Sequence, residues 1–215
     1  MSSRAALTYD DDVVESDQEA QQSERQWVHS LVPRIQKALK ASDTSKVNVK
    51  ISDGRRLAYT CEIYEYAGDD SSQPISARYE TDLLIYDSYE KGNWVPRVVV
   101  ECKIGGVTTH DALTYSTKAS THKHVHPYLR YGFLAGRRQH YAIPGRLVRH
   151  GAYFDFMASW VGLKPTNKEW RDFIAVLKDE LKASRTIQEI LTTTRSASRT
   201  RYNILHRPLK LLKTR

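Results

Sequence analysis

The chain has 215 residues, 40% of them hydrophobic and 27% charged, which suits one globular domain with short appendages. Its net charge is +8, and because the first 24 residues carry −6, the remaining 191 carry +14. Residues with this much net positive charge attract polyanions. Nucleic acid is the first candidate, ahead of an anionic membrane or an acidic protein.

Membrane-spanning and secreted proteins are disfavoured classes for this sequence. No apolar run approaches the roughly 18 residues that cross a bilayer, and the N-terminus lacks the basic and then apolar stretch of a secretory signal. The two cysteines, Cys61 and Cys102, can form neither a disulfide framework nor a cysteine zinc cage. We therefore expect a cytoplasmic, reduced protein with no membrane partner.

The first predicted element is a helix. Residues 1–22 are polar and acidic, which predicts a flexible arm or the frayed start of a helix. From Glu24 onward an apolar side chain recurs every four residues, which predicts one buried helical stripe: Trp27, Leu31, Ile35 and Leu39. Pro33 lies inside this pattern, so we expect the helix to kink there or to restart with Pro33 in its first turn.

A β-rich segment follows. Residues 46–51 alternate in polarity, and Asp53-Gly54 then predicts a hairpin turn into a returning strand over 56–66. Residues 78–86 and 94–102 predict two further strands. The second ends in a continuous apolar run, which is typical of a central strand covered on both faces.

The rest of the chain returns to helices and strands. A helix is predicted over 110–124, with Thr108 or Thr109 as its cap, followed by strands over 128–135 and 152–158. A long helix then opens at Pro165 with Thr166 and Glu169 at capping-box spacing. Its predicted buried face comprises Trp170, Phe173, Ile174, Leu177, Leu181, Ile187 and Leu191. This order predicts the α/β class, with a mixed β-sheet flanked by helices.

The chemistry is concentrated in Asp82 and in Glu101-Cys102-Lys103, with eighteen residues between Asp82 and Glu101. Side chains alternate along a strand, so Glu101 and Lys103 share a face and Cys102 points to the other. If the two strands pair as an antiparallel hairpin, Asp82 lies beside the end of its neighbour. Two carboxylates and an ammonium group then converge at one place.

Two carboxylates this close repel each other unless a cation lies between them. All-oxygen ligation with few protein carboxylates suits Mg²⁺, which keeps several waters and shares phosphate oxygens. A neighbouring lysine can hold an attacking water and stabilise charge near the phosphate. The cluster therefore favours metal-assisted phosphodiester hydrolysis over a structural ion pair at a sheet end.

Asp82 followed by Glu101-Cys102-Lys103, on adjacent strands after an N-terminal helix, resembles the PD-(D/E)xK nuclease superfamily, the restriction-endonuclease-like fold. The resemblance covers roughly residues 24–135 in element order. It implies a restriction-endonuclease-like core, with Asp82 and Glu101 as metal-binding carboxylates, Cys102 contributing its backbone carbonyl, and Lys103 as the catalytic lysine. Thr81 stands where the proline that names the motif would be.

Members of this family often have one more acidic metal ligand, from the first helix or a nearby strand. The candidates here are Glu24, Glu62, Glu65 and Glu80. Glu80 is favoured because it lies two residues from Asp82 on the same strand and so shares its face. The resemblance implies Mg²⁺ as the cofactor, with Mn²⁺ as a substitute.

The segment from Ala112 to Phe154 contains no acidic residue and predicts a DNA-binding surface, against the alternative of a merely solvated basic face. Its cationic candidates are Lys118, Lys123, Arg130, Arg137, Arg138, Arg146 and Arg149. Lys118 is of particular interest because the family's helix after the motif packs beside the active site.

The sequence thus predicts a Mg²⁺-dependent DNA endonuclease, a phosphodiester hydrolase of a type II restriction system that cuts double-stranded DNA at a specific sequence. The nuclease domain spans 23–194, between an acidic flexible arm over 1–22 and a basic tail over 195–215. Cutting both strands needs two active sites, which predicts a homodimer. The alternatives are a structure-specific or repair nuclease of the same fold and a non-catalytic DNA-binding module.

Overall fold

A computed structural model describes residues 17–41, 47–138 and 142–213. Helices and strands are interspersed along the chain, as in an α/β protein. The elements are α1 (Asp17–Lys40), β1 (Asn48–Glu62), β2 (Ile75–Ser88), β3 (Trp94–Ile104), α2 (Thr109–Val125), β4 (Arg130–Gly136), α3 (Gly145–His150), β5 (Phe156–Ser159) and α4 (Asn167–Thr193).

The five strands form one mixed sheet in the order β1-β2-β3-β4-β5. The first three strands pair antiparallel, whereas β4 and β5 continue the sheet in parallel with β3. β3 is therefore central, and its Val98, Val99 and Val100 are all fully buried, as their continuous apolar run predicts. The predicted mixed sheet flanked by helices is confirmed at this level.

Helices cover both faces of the sheet and create two cores. α1 and α4 pack on one face, where Leu31 and Leu177 join Val98, Val100 and Cys102 of β3. α2 and α3 pack on the other, where Ala112 and Leu147 join Val99. Because successive β3 side chains alternate between these cores, each helical layer contacts a different set of residues at the end of β3.

The first helix confirms the predicted apolar stripe and differs in its extent. Trp27, Leu31, Ile35 and Leu39 are all buried. α1 nevertheless begins at Asp17, inside the segment predicted as an arm, and the acidic residues 1–16 lie outside the described residues. The helix is continuous through Pro33 rather than restarting there, and residues of the buried stripe lie on both sides of the proline.

The predicted hairpin turn at Asp53-Gly54 is wrong. β1 continues through it as one 15-residue strand, paired with β2 on both sides of the dipeptide. Gly54 adopts a φ of +62° there, between the pairs Asp53–Leu83 and Arg55–Thr81, so it lies opposite Asp82. Pairing with one long neighbouring strand outweighs the local turn preference of Asp-Gly, and the glycine instead supplies an irregularity within the strand.

The other boundaries agree with the sequence more closely. Thr108 caps α2 and Thr166 caps α4, each with a complete capping box. Leu191 is 43% exposed, contrary to prediction. The short helix α3 was not predicted, and the basic segment that follows α4 is largely exposed. None of the helices in the described part of the chain combines the length and apolar character of a membrane span.

Candidate active site

The candidate site lies where β3 extends beyond its neighbour β2. Their ladder ends at the pair Leu83–Val100, so the next amide groups of β3 have no backbone partner on this side. Asp82, the residue adjoining the last pair, accepts the Cys102 N–H through Oδ2 at 2.8 Å. This bond fixes the Asp82 carboxylate against β3, beside Glu101.

A second carboxylate reaches the same edge of β3 from α1. Glu24 accepts the Ile104 N–H through Oε2 at 2.9 Å, so acidic side chains satisfy two alternate amides of one strand edge. Burial raises the pKa of Glu24, and the charge of Asp82 raises it further. The Ile104 N–H and the Lys103 ammonium both oppose this rise, which identifies Lys103 as a neighbour of the Glu24 carboxylate.

Glu101 faces the opposite core and is completely buried. Its Oε1 accepts the Tyr131 hydroxyl at 2.5 Å, and the Lys118 Nζ lies 2.9 Å from Oε1 and 3.1 Å from Oε2. Burial raises the pKa of Glu101 to about 7, and the neighbouring Asp82 charge adds to the rise, whereas Lys118 and Tyr131 oppose it. Both oxygens of this carboxylate are therefore engaged by α2 and β4.

Lys103 follows Glu101 on β3 and is half-buried. In the described part of the chain it forms no ion pair and no side-chain hydrogen bond, so its ammonium group is available to a ligand at the end of the sheet. Cys102 lies between them with its side chain in the α1–α4 core, as alternation predicts. Burial raises the pKa of its thiol, which leaves the thiol protonated and unreactive.

The structure separates the four candidates for a further acidic ligand. Glu24 lies at the site, although Glu80 was favoured. Glu80 borders the same cavity of about 600 Å³ as Glu24 and Asp82, but its carboxylate pairs with Arg25 at 3.4 Å. Glu62 and Glu65 are exposed at and beyond the far end of β1, away from the motif.

The seven predicted DNA-binding cations fall into two groups. Lys118 contacts Glu101, and Arg137, Arg138, Arg146 and Arg149 follow β4 or lie on α3, at the same end of the sheet as the carboxylates. Arg138 donates to the Gly105 carbonyl at 3.2 Å, which ties the segment after β4 to the loop after β3.

Lys123 and Arg130 lie at the opposite end, the first near the end of α2 and the second at the start of β4. Both pair with Asp155 at 2.8 Å, and Arg130 also pairs with Glu180. Their charges are thus neutralised by acids outside the acid-free segment, Asp155 directly after it and Glu180 on α4. The structure gives these two residues a role in joining α2, β4 and α4.

Two tyrosines at the site were missed from the sequence. Tyr131 is buried on β4 and links Glu101 to His122, whose Nδ1 lies 3.3 Å from its hydroxyl. Tyr115 lies on α2, where burial and the carboxylates Asp82 and Glu24 raise the pKa of its phenol. Their only sequence signal was aromatic residues at spacings that also suit a core.

The donor atoms suit a hard divalent cation only in part. Among the residues that the structure describes, no three His, Cys, Asp or Glu side chains form a ready metal-binding group. Asp82 and Glu24 each use one oxygen in the contacts above, which leaves Oδ1 and Oε1 for a ligand. The Cys102 carbonyl shares the strand edge of its N–H, where β2 pairing has ended. Glu101 becomes a ligand only if Lys118 or Tyr131 releases an oxygen.

Comparisons with known proteins add no assignment to this geometry. No protein-family model matches the chain, and no curated protein matches it. A function for the site therefore has to be inferred from its own residues.

Proposed function

We propose that this chain is a Mg²⁺-dependent DNA endonuclease of the PD-(D/E)xK type, and within that class a type II restriction endonuclease. The observation that carries the proposal is the meeting of Glu24, Asp82 and Glu101 at one end of the sheet, with Lys103 and Lys118 beside them. Three acids and two lysines from four separate elements are costly to gather without a use for their charge.

Asp82, Glu24 and the Cys102 carbonyl are the groups that would hold the metal ion, joined by Glu101 once Lys118 moves. All are oxygen donors, the ligand type that Mg²⁺ prefers, and Mn²⁺ accepts the same set. When bound, the ion would supply Lewis-acid activation of a water and of the phosphate oxygens.

The chain's own lysines have complementary tasks. Lys103, which forms no ion pair and no side-chain hydrogen bond among the described residues, would hold the attacking water and stabilise the charge that develops on the phosphate. Lys118 would keep Glu101 ionised in its buried position until the substrate and the metal arrive, because an unpaired carboxylate there would take up a proton.

The charge distribution supports DNA as the substrate. Arg137, Arg138, Arg146 and Arg149 lie at the end of the sheet that carries the carboxylates, and the chain as a whole is basic. Double-stranded DNA is bound chiefly through such phosphate contacts. A homodimer that presents two such sites, acting in the cytoplasm on foreign DNA, is part of this proposal.

A non-catalytic DNA-binding module is the second candidate, and one observation favours it. Asp82 and Glu24 both cap amides of β3, and Glu101 is fully paired, so all three carboxylates have structural partners. A repair nuclease of the same fold differs from the first candidate only in the substrate that it selects.

The test is incubation of the purified protein with supercoiled plasmid in Mg²⁺ and in EDTA, beside Glu101→Ala and Lys103→Ala. Glu189→Ala and Lys182→Ala, which alter exposed residues of α4, are the matched controls. Metal-dependent cutting that is lost only in the site variants supports the nuclease, and discrete fragments support restriction.

Preference for branched DNA or free ends would favour a repair nuclease. Binding of DNA without cutting of plasmid, branched DNA or RNA in any divalent metal would contradict the enzyme and favour the binding module.

A further inference from the structure

A second polar cavity lies beside the carboxylate cluster, between α2 and α3. It has a volume of about 440 Å³ and is lined by Thr109, Gly145, Arg146, Arg149 and His150. Leu147 anchors α3 by inserting into the core that α2 covers, where it is completely buried. The cavity therefore stands on a packed element rather than on a loose loop.

The lining of this cavity is entirely free of negative charge. Arg149 and His150 follow Arg146 by three and four residues, so the three side chains are neighbours on the short helix, whereas Leu147 is buried in the core. Among the described residues, none of these three side chains forms an ion pair or hydrogen bond with the protein. Two unpaired guanidinium groups around one cavity make a site for a doubly or singly charged oxyanion.

The cavity is close to the proposed catalytic centre. Thr109, on its rim, is the first residue of α2 and follows the end of β3 by five positions. Asp111, two residues after Thr109 on α2, lies near enough to Glu24 to raise the pKa of that carboxyl. An anion in the cavity would thus sit next to a nucleotide whose scissile bond is at the carboxylates.

We propose that the cavity between α2 and α3 binds a phosphate group of the DNA strand adjacent to the scissile position, held by Arg146 and Arg149. The proposal rests on the proposed function, since it specifies how that substrate is positioned. The phosphate has two sources in DNA: a diester within the strand or the monoester at a 5′ end. The first suits an endonuclease that binds anywhere along DNA, and the second suits an enzyme that works from ends.

The experiment measures binding of the full chain in EDTA, so that no cleavage is needed. Arg146→Ala/Arg149→Ala is compared with Arg171→Ala/Lys182→Ala, which removes two exposed cations from α4 on the other face of the sheet. The ligands are a covalently closed minicircle and one linear duplex with either a 5′-phosphate or a 5′-hydroxyl. A Tm equal to that of the wild type establishes that α3 is still packed in the Arg146→Ala/Arg149→Ala variant.

We expect the cavity variant to weaken DNA binding by about tenfold or more. The slope of log K against log[salt] should decrease by the amount expected for about one to two lost phosphate contacts, with little change in the control. Equal losses on all three ligands assign the cavity to an internal diester. A loss confined to the 5′-phosphorylated duplex assigns it to a strand end.

Equal effects of the two double variants would overturn the proposed cavity while leaving the nuclease intact. Absence of DNA binding by the wild-type chain would instead overturn the proposed function. Titration with inorganic phosphate, followed by NMR of the arginine Nε–H signals, separates these cases. We expect phosphate to shift the Nε–H signals of Arg146 and Arg149 in the wild type, and the absence of these shifts would count against the cavity.

Discussion

The Glu24 carboxylate accepts the amide N–H of Ile104 at 2.9 Å and thereby joins α1 to the end of β3, across 80 residues of sequence. Asp82 binds the amide two residues earlier in the same way. The two carboxylates are thus aligned along one strand edge, and Lys103 is the residue between the two whose amides they bind. This alignment makes Glu24 the acid that completes the proposed site.

Glu24→Gln should lower the rate of DNA cleavage by about 100-fold or more, since loss even of a residue that supports a metal ligand lowers activity by roughly 10- to 100-fold. The amide oxygen of Gln can still accept the Ile104 N–H, so the fold should be retained. Initial rates of plasmid cleavage measure the effect, with Glu80→Gln as the matched control. A larger loss in Glu80→Gln would instead favour the residue predicted from the strand pattern.

Replacement of Lys118 by Met should destabilise the fold by about 3 kcal/mol, because it leaves the buried Glu101 carboxylate without its cation. Urea denaturation at pH 8 measures this free energy of unfolding. Lys168→Met, which breaks an exposed pair with Asp172, should lose less than about 1 kcal/mol. Adding Glu101→Gln to Lys118→Met should recover much of the loss, and no recovery would show that Lys118 acts through packing alone.

His122 should make the protein lose stability in acid. Burial lowers its pKa to about 4, with the charges of Lys118 and His126 contributing, while its hydrogen bond to the Leu57 carbonyl opposes the shift. Because the pKa in the folded state lies below the value of about 6.5 in the unfolded state, the folded state takes up this proton at a lower pH than the unfolded state does. The contribution is therefore complete above about pH 6.5 and is lost as the pH falls toward 4.

The measurement is the free energy of unfolding from pH 7 to 4 for the wild type and His122→Gln, which cannot titrate. The difference between them should change by an amount on the order of 2 kcal/mol in favour of the variant as the pH falls. His124→Gln, at an exposed position of the same helix, should run parallel to the wild type. A constant difference between wild type and His122→Gln would contradict the assignment.

Gly54→Ala should destabilise the protein by about 1–2 kcal/mol, because a φ of +62° strains any residue with a Cβ. Space is not the cause, since the nearest atom to an added Cβ is Glu80 Oε1 at 3.6 Å. Gly68→Ala is the control, as nothing lies within 4 Å of its added Cβ and its φ is not positive. Equal stability of the two variants would contradict the strained position inside β1.

The sequence could predict the relations that depend on strand periodicity. Glu101 and Cys102 lie on opposite faces, and Asp82 adjoins the end of β3, because alternation and antiparallel pairing leave little choice. Which turn of α1 reaches β3 could not be predicted in this way. It depends on how α1 packs across the sheet, and that packing brings Glu24 to Ile104.

Partners that are distant in sequence also decide two other features. Asp53-Gly54 has a strong local turn signal, which β1 overrides by pairing with a strand distant in sequence. Lys123 and Arg130 are predicted as DNA contacts from an acid-free segment, yet Asp155 and Glu180 neutralise them from outside it. In each case the deciding partner was distant in sequence or lay outside the segment that the prediction considered.

We propose that Asp82 belongs to a metal-dependent nuclease centre, and the initial rate of plasmid cleavage in Mg²⁺ by Asp82→Asn tests this claim. Asp53→Asn is the matched control, because Asp53 borders the same cavity but pairs with His29 at 2.8 Å. We predict a loss of about 100-fold or more in Asp82→Asn and a rate within about threefold of wild type in Asp53→Asn. Equal rates for Asp82→Asn and wild type, or no cleavage by the wild type in Mg²⁺ or Mn²⁺, would contradict the claim.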